Sequence, residues 1–174
     1  TDGLPALALA VEPPEPDVMK RPPFSPKESI FARGLGWYMI RIGIIFAIIT
    51  IILMNWAYFY SNAVFTQELV KERWKTMVFT TLCIAQMGHA IAIRSNNQLT
   101  IQINPFSNPY LLAAVVLTTI LQLMLVYVPP LRAFFGTNII SLPELGICLG
   151  FSALMFVWVE LEKIFFRIIG KKNV

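Results

Sequence analysis

The residues best suited to chemistry lie at the start of the chain, in the string TDGLPA at residues 1–6. A carboxylate inside an otherwise apolar helix is costly, and by default it marks an ion pathway or a polar partner. Pro5 has no amide hydrogen, so the carbonyl of Thr1 lacks its helical partner, and Gly3 makes local unwinding easier. Thr1, Asp2 and this carbonyl offer the oxygen ligands that calcium prefers. The residues leave a second interpretation open, in which Asp2 caps a kinked helix end.

Two further polar pairs occur at helical spacing in apolar surroundings. Gln86 and His89 are three residues apart and therefore share one helix face. His89 is a candidate for carrying a proton, or the two side chains simply form hydrogen bonds across a helical bundle. Glu160 and Lys163 have the same spacing near the end of the last apolar segment, which predicts an ion pair in an interfacial charge cluster.

These residues belong to a chain whose composition is typical of a membrane protein. Of its 174 residues, 56% are hydrophobic and 14% are charged, and the mean hydropathy is +0.65. A soluble domain carries about 25% charged residues. A spanning helix needs roughly 20 mostly apolar residues. Four segments meet this length, at residues 35–60, 75–93, 109–128 and 145–169. The sequence therefore predicts an all-α transmembrane helical bundle, with Cys83 and Cys148 packed inside it.

The remaining segments divide the chain into three parts. Residues 1–11 are apolar but too short to cross a bilayer, so we expect the C-terminal end of a broken transmembrane helix. Residues 12–34 are rich in proline and predict an aqueous loop. Residues 35–174 form the four-helix membrane domain.

Basic residues predict the orientation of these parts, because cytosolic loops carry an excess of lysine and arginine. Nine basic residues lie on the side of the Pro-rich loop and the C-terminus, and four lie on the opposite side. The nine are Lys20, Arg21, Lys27, Arg33, Arg94, Lys163, Arg167, Lys171 and Lys172; the four are Lys71, Arg73, Lys75 and Arg132. We therefore expect the Pro-rich loop and the C-terminus to be cytosolic.

A series of short strings runs along the chain in a specific order. TDGLPA is followed by EP at residues 12–13, DVM at 17–19, RPP at 21–23 and PKE at 26–28, and later by NPY at 108–110, YVPPL at 127–131 and ELEK at 160–163. In this order the strings resemble the C-terminal membrane region of P-type cation-transporting ATPases, and most of all the bacterial-type calcium-transporting members. The resemblance covers essentially the whole chain. It implies that the four spans are helices seven to ten of a ten-helix domain, preceded by the end of helix six.

The resemblance also implies roles for single residues. Thr1 and Asp2 match ion-ligating positions of the family. The position that matches Gln86 is a glutamate ligand in pumps that carry two calcium ions, so an amide there implies a weakened or lost site. His89 and Glu160 remain secondary polar candidates. Calcium is the implied transported ion. ATP and magnesium would be bound elsewhere, because this segment has no DKTGT phosphorylation string and we expect it not to hydrolyse ATP alone.

The expected partners follow from the same resemblance. They are the lipid bilayer, helices one to six of the same polypeptide and a phosphorylation domain facing loop 12–34, with no nucleic acid. The expected location is a bacterial plasma membrane, crossed several times. Two alternatives stay open at this point. One is transport of another cation, such as manganese or sodium, by the same family; the other is a stand-alone membrane scaffold or accessory protein without transport.

Overall fold

The computed structural model describes residues 3–14, 29, 31–32, 34–64, 72–95 and 98–168, and within these ranges all regular structure is helical. The prediction of an all-α bundle is confirmed. The helices are α1 (Gly3–Leu9), α2 (Leu35–Val64), α3 (Arg73–Ala92), α4 (Pro109–Tyr127), α5 (Pro129–Phe135) and α6 (Leu142–Ile168). Two 3₁₀ turns, Thr100–Gln102 and Pro105–Ser107, lie between α3 and α4. Most of the Pro-rich loop falls outside the described residues.

Local side-chain chemistry explains several helix boundaries. The Oδ1 of Asn108 accepts a hydrogen bond from the backbone N–H of Leu111 at 3.0 Å and so caps α4, which starts with a proline. Helix α5 ends at Gly136, whose φ of 65° is left-handed and suits glycine. Ahead of α6, Ser141 and Glu144 form a capping box: the N–H of Ser141 donates to a Glu144 carboxylate oxygen at 2.6 Å, and the N–H of Glu144 donates back to Ser141 Oγ at 3.4 Å.

Three of the described helices, α2, α4 and α6, are long and apolar enough to cross a membrane. The sequence predicted a fourth span at residues 75–93. Helix α3 forms over almost these residues and has 20 of them, a spanning length, but by the same measure it is not apolar enough. It carries Lys75, Gln86, His89 and several threonines. This polarity is tolerable because α3 is packed between α2, α4 and α6, so much of its surface meets protein rather than lipid.

Helices α3 and α6 run parallel, side by side, along most of their length. Ser152 Oγ donates to the Thr81 carbonyl at 3.0 Å, Cys148 lies against the Met77 carbonyl, and Lys163 Nζ donates to the Ala92 carbonyl at 2.6 Å. Each of these pairs is separated by 71 residues, which fixes one register over four helical turns. Because α6 is long and apolar enough to cross a membrane, this register indicates that α3 would cover the same membrane thickness.

The other long neighbours of α3 run antiparallel to it. Gln122 Nε2 on α4 donates to Thr80 Oγ1 at 3.1 Å, while Leu111 at the other end of α4 packs with Ala90. On α2, Ile42 belongs to the same apolar cluster as Ala92 and Ala57 to that of Met77. Helices α2 and α4 thus run antiparallel to α3, while α6 runs parallel to it. Short helix α1 lies against α3 and α4.

Candidate functional site

Gln86 and His89 line the same groove, of about 540 Å³, between helices α1, α2 and α3. Helix α1 contributes Pro5, Ala6 and Leu9 to its wall, and α2 contributes apolar side chains that include Phe46. This arrangement agrees with the prediction that Gln86 and His89 share one helix face. Because the rest of the wall is largely apolar, these two side chains supply most of the polar chemistry that the described part of the groove offers.

His89 is held in place by an aromatic contact. Its ring meets that of Phe46 edge to face, with the centroids 5.8 Å apart and an interplanar angle of 86°. The Nδ1 atom is buried and has no hydrogen-bond partner among the described residues. A buried ring nitrogen without a partner is unusual and calls for an explanation such as a role in binding or proton transfer.

Thr1 and Asp2, the leading candidates from the sequence, lie outside the described residues. The helix that follows them is nevertheless well placed by its neighbours. Ala8 packs with Ala90, and the Glu12 carboxylate bonds to Arg94; both pairs are 82 residues apart, so α1 runs parallel to α3. With the same offset of 82 residues, Gln86 lies at the level of Leu4 along the axis of the bundle. The N-terminal end of α1 therefore lies at the level of the polar part of the groove.

Glu160 is not among the residues that line this groove. One carboxylate oxygen accepts the backbone N–H of Thr100 at 3.0 Å, and the other accepts the Thr100 hydroxyl at 2.9 Å and Lys163 Nζ at 2.8 Å. The predicted ion pair between Glu160 and Lys163 is therefore present. Lys163 is buried and also donates to the carbonyls of Ala92 and Gln98, at 2.6 and 3.2 Å. This cluster fastens the end of α3 and the following loop to α6.

Two other partly buried ion pairs were not found from the sequence. Arg41 on α2 pairs with Glu162 on α6, and Arg94 after α3 pairs with Glu12 after α1. Their members are 121 and 82 residues apart, and no local pattern relates such distant positions. The available signal was weak: Glu12 belongs to the EP string and Glu162 to the ELEK string.

The described residues alone do not provide a calcium cage. Within the described ranges, no group of three or more His, Cys, Asp or Glu side chains could hold a metal ion. Buried Glu144 lies at the opposite end of the bundle, where its Oε2 accepts hydrogen bonds from Ser141 and lies 3.5 Å from Arg73 Nη1, while its Oε1 is buried without a hydrogen-bond partner among the described residues. Cys83 and Cys148 are both buried and form no disulfide, in agreement with a packing role.

Comparison with known proteins gives one family. Residues 1–165 match the family described as cation transporting ATPase, C-terminus. The chain is 38% identical over 156 residues to a calcium-transporting ATPase of Bacillus subtilis (strain 168), an alignment that covers 88% of this chain and 16% of that protein. It is 32% identical to calcium-transporting ATPase 1 of Bacillus cereus (99% and 20% covered) and 32% identical to calcium-transporting ATPase type 2C member 2 of Rattus norvegicus (94% and 17%). The chain thus spans a fifth or less of the length of these relatives.

Proposed function

This chain belongs to the family of cation-transporting ATPase C-terminal regions, and on that premise we propose that it provides part of the ion site and the supporting helices of an ATP-driven calcium pump. The observation that carries the proposal is the match along nearly the whole chain to proteins named as calcium-transporting ATPases. The apolar helices α2, α4 and α6 agree with a multi-pass membrane location. A match of this kind to a transport family is not expected of a stand-alone scaffold without transport.

We propose Asp2 and Thr1 as ion ligands and Gln86 as a possible third. The parallel register of α1 and α3 supports the proposal, because it brings the level of Gln86 close to the N-terminal end of α1. Asp2 supplies the anionic oxygen on which calcium affinity depends. His89 is a secondary candidate, supported by its place in the groove. The partners of Glu160 within the bundle favour a structural role.

The remaining functions are assigned to other parts of the polypeptide. ATP and magnesium would be bound by its phosphorylation and nucleotide-binding domains, and loop 12–34 would face the phosphorylation domain from the cytosolic side. Residues 1–11 would be the end of a broken helix. Residues 12–34 would form this loop, and residues 35–174 would form the supporting helix domain. The bacterial relatives support a location in a bacterial plasma membrane.

The proposal can be tested by phosphorylation of the full-length protein from ATP at increasing calcium concentration. Asp2→Asn keeps the shape and one carbonyl oxygen but removes the charge, so we expect it to abolish calcium-dependent phosphorylation at micromolar calcium. The variant should still insert and fold, because a neutral amide is cheaper to bury than a carboxylate. Thr1→Ala should be milder, since it removes only a neutral hydroxyl.

Glu72→Gln is a matched control, because Glu72 is an exposed carboxylate whose described partner is the exposed Lys75. It should leave the calcium dependence unchanged. If Asp2→Asn shows the calcium dependence of the parent, Asp2 is a structural cap and the site assignment is wrong. Phosphorylation that depends on manganese or sodium but not on calcium would identify another cation, since all of these accept oxygen ligands.

A further inference from the structure

A compact polar cluster joins three elements of the bundle through the carboxylate of Glu12, which follows α1. Arg94, just after α3, donates to Glu12 Oε1 from Nε at 3.0 Å and from Nη2 at 2.8 Å. Asn108, just before α4, donates to Glu12 Oε2 from Nδ2 at 2.6 Å. Arg94 Nη2 also donates to Ser107 Oγ at 2.6 Å. Both oxygens of one carboxylate are thus bonded from two different elements.

The two charged side chains of this cluster are largely buried. The side chain of Arg94 is 3% exposed and that of Glu12 is 16% exposed. Removing one member of such a pair leaves a buried charge without compensation, which is strongly destabilising. The arrangement is also specific, because a guanidinium that donates two hydrogen bonds fixes direction as well as distance. The cluster therefore holds the three elements in one arrangement.

This cluster bonds the C-terminal end of α1 (Gly3–Leu9) to its neighbours. Asn108 Nδ2 also donates to the Ala8 carbonyl in the last turn of α1, at 2.8 Å, while Asn108 Oδ1 caps α4. Asn108 thus bonds to the end of α1 and to the start of α4 at once, which sets the depth of α1 beside α4.

The opposite part of α1 borders the groove that contains Gln86 and His89, to which it contributes Pro5 and Ala6. A shift of α1 by one residue along its axis moves every atom by about 1.5 Å. An error of this size at a binding constellation is large, since such sites must be held within about 0.5 Å. A cation site at this end of α1 therefore requires that α1 keeps a fixed axial position beside α3.

We propose that Glu12, Arg94 and Asn108 are positioning residues for the cation site: they fix the axial position of α1 against α3 and α4 without contacting the ion. This inference rests on the proposed function. It assigns a role in calcium affinity to a cluster that lies at the other end of α1 from the proposed ligands.

The test is calcium-dependent ATP hydrolysis by the full-length protein, with the half-saturating calcium concentration and the maximal rate measured separately. Glu12→Gln and Arg94→Gln should each raise the half-saturating concentration about tenfold, while the maximal rate per folded protein changes little. In the double variant the two shifts should combine to less than their product, because either single change already breaks the pair. Arg94→Lys keeps the charge but not the paired bonds and should give a smaller shift in the same direction.

Arg41→Gln and Glu162→Gln are matched controls, because these residues form a comparable ion pair between α2 and α6, away from α1. They should lower stability without moving the half-saturating calcium concentration. If the Glu12 and Arg94 variants, including Arg94→Lys, lose stability but keep the calcium dependence of the parent, the cluster is only structural and the inference is wrong. The proposed function is tested separately. An inactive Asp2→Asn variant would still support it, whereas a parent protein without calcium dependence would refute it.

Discussion

Position 86 carries an amide where a carboxylate would give a cation a stronger ligand. A neutral amide oxygen can coordinate calcium but adds no charge, and the charge of the ligand set tunes calcium affinity. The groove places Gln86 beside His89 and close to α1, but Phe46, Pro5 and the other wall residues are apolar. Among the residues of this chain, Asp2 is the proposed ligand that would supply negative charge to a cation held here. We therefore expect one calcium ion per transport cycle.

Substitution of Gln86 tests this expectation. Gln86→Ala should change the half-saturating calcium concentration less than about threefold, because one neutral hydrogen bond inside a membrane bundle is worth about 0.6 kcal/mol on average. Gln86→Glu adds a carboxylate to the groove and should raise the number of bound calcium ions from one towards two. Calcium transport into sealed vesicles and calcium binding measure the two effects. Loss of all transport in Gln86→Ala would mean that the amide is an essential ligand.

At the scale of the helices, Lys163 connects α6 to the end of α3 and to the loop after α3. Its ammonium group satisfies two backbone carbonyls and Glu160 in a buried position. Lys163→Met should lower the free energy of unfolding by about 3 kcal/mol or more, since it leaves the Glu160 charge without its ionic partner. Lys75→Met is the control: Lys75 and Glu72 form an exposed pair, worth about 0–1 kcal/mol. Thermal unfolding in detergent compares them, and equal losses in the two variants would contradict this account.

The sequence was most informative where a boundary depends on local chemistry. The predicted start of the third span at residue 109 is the observed start of α4, because a proline follows the capping residue Asn108. Helix α6 begins at Leu142, three residues before the predicted position 145, because Ser141 and Glu144 form a capping box there. Helix α2 was expected to end at residue 60 but extends to Val64, where the Asn62 amide bonds to the Tyr58 carbonyl. Helix α5 (Pro129–Phe135) lies between the predicted spans 109–128 and 145–169, where no helix was predicted.

Long-range pairing could not be predicted in the same way. The apolar faces of α3 and α6 have no feature in the sequence that specifies an offset of 71 residues, and the bonds of Glu12 depend on three elements meeting. The sequence found Gln86 and His89 because helical spacing places them on one face. It did not find the bonds of Arg94 and Asn108 to Glu12, because these are tertiary contacts.

At the scale of the whole molecule, the described charges collect at two ends of the bundle. One end carries the pairs of Glu12 with Arg94, Arg41 with Glu162, and Glu160 with Lys163; the other carries Glu72, Arg73 and Glu144. This distribution is what a slab of hydrocarbon between two aqueous phases requires. The excess of basic residues at the first end predicts that it is cytosolic.

Labelling of single cysteines tests this orientation. In a background where Cys83 and Cys148 are replaced, Ile101→Cys and Phe134→Cys introduce thiols at exposed positions near the two opposite ends. A maleimide that cannot cross membranes should label Phe134→Cys in intact cells and Ile101→Cys only after the cells are opened. Labelling of Ile101→Cys from outside intact cells would reverse the predicted orientation.

Equilibrium binding of radioactive calcium to the purified full-length protein tests whether Asp2 supplies the charged ligand for a transported calcium ion. We expect saturable binding of about one calcium ion per parent molecule at micromolar concentrations. We expect almost none for Asp2→Asn, prepared with the same yield of folded protein. Equal calcium binding by the parent and by Asp2→Asn would contradict this role of Asp2.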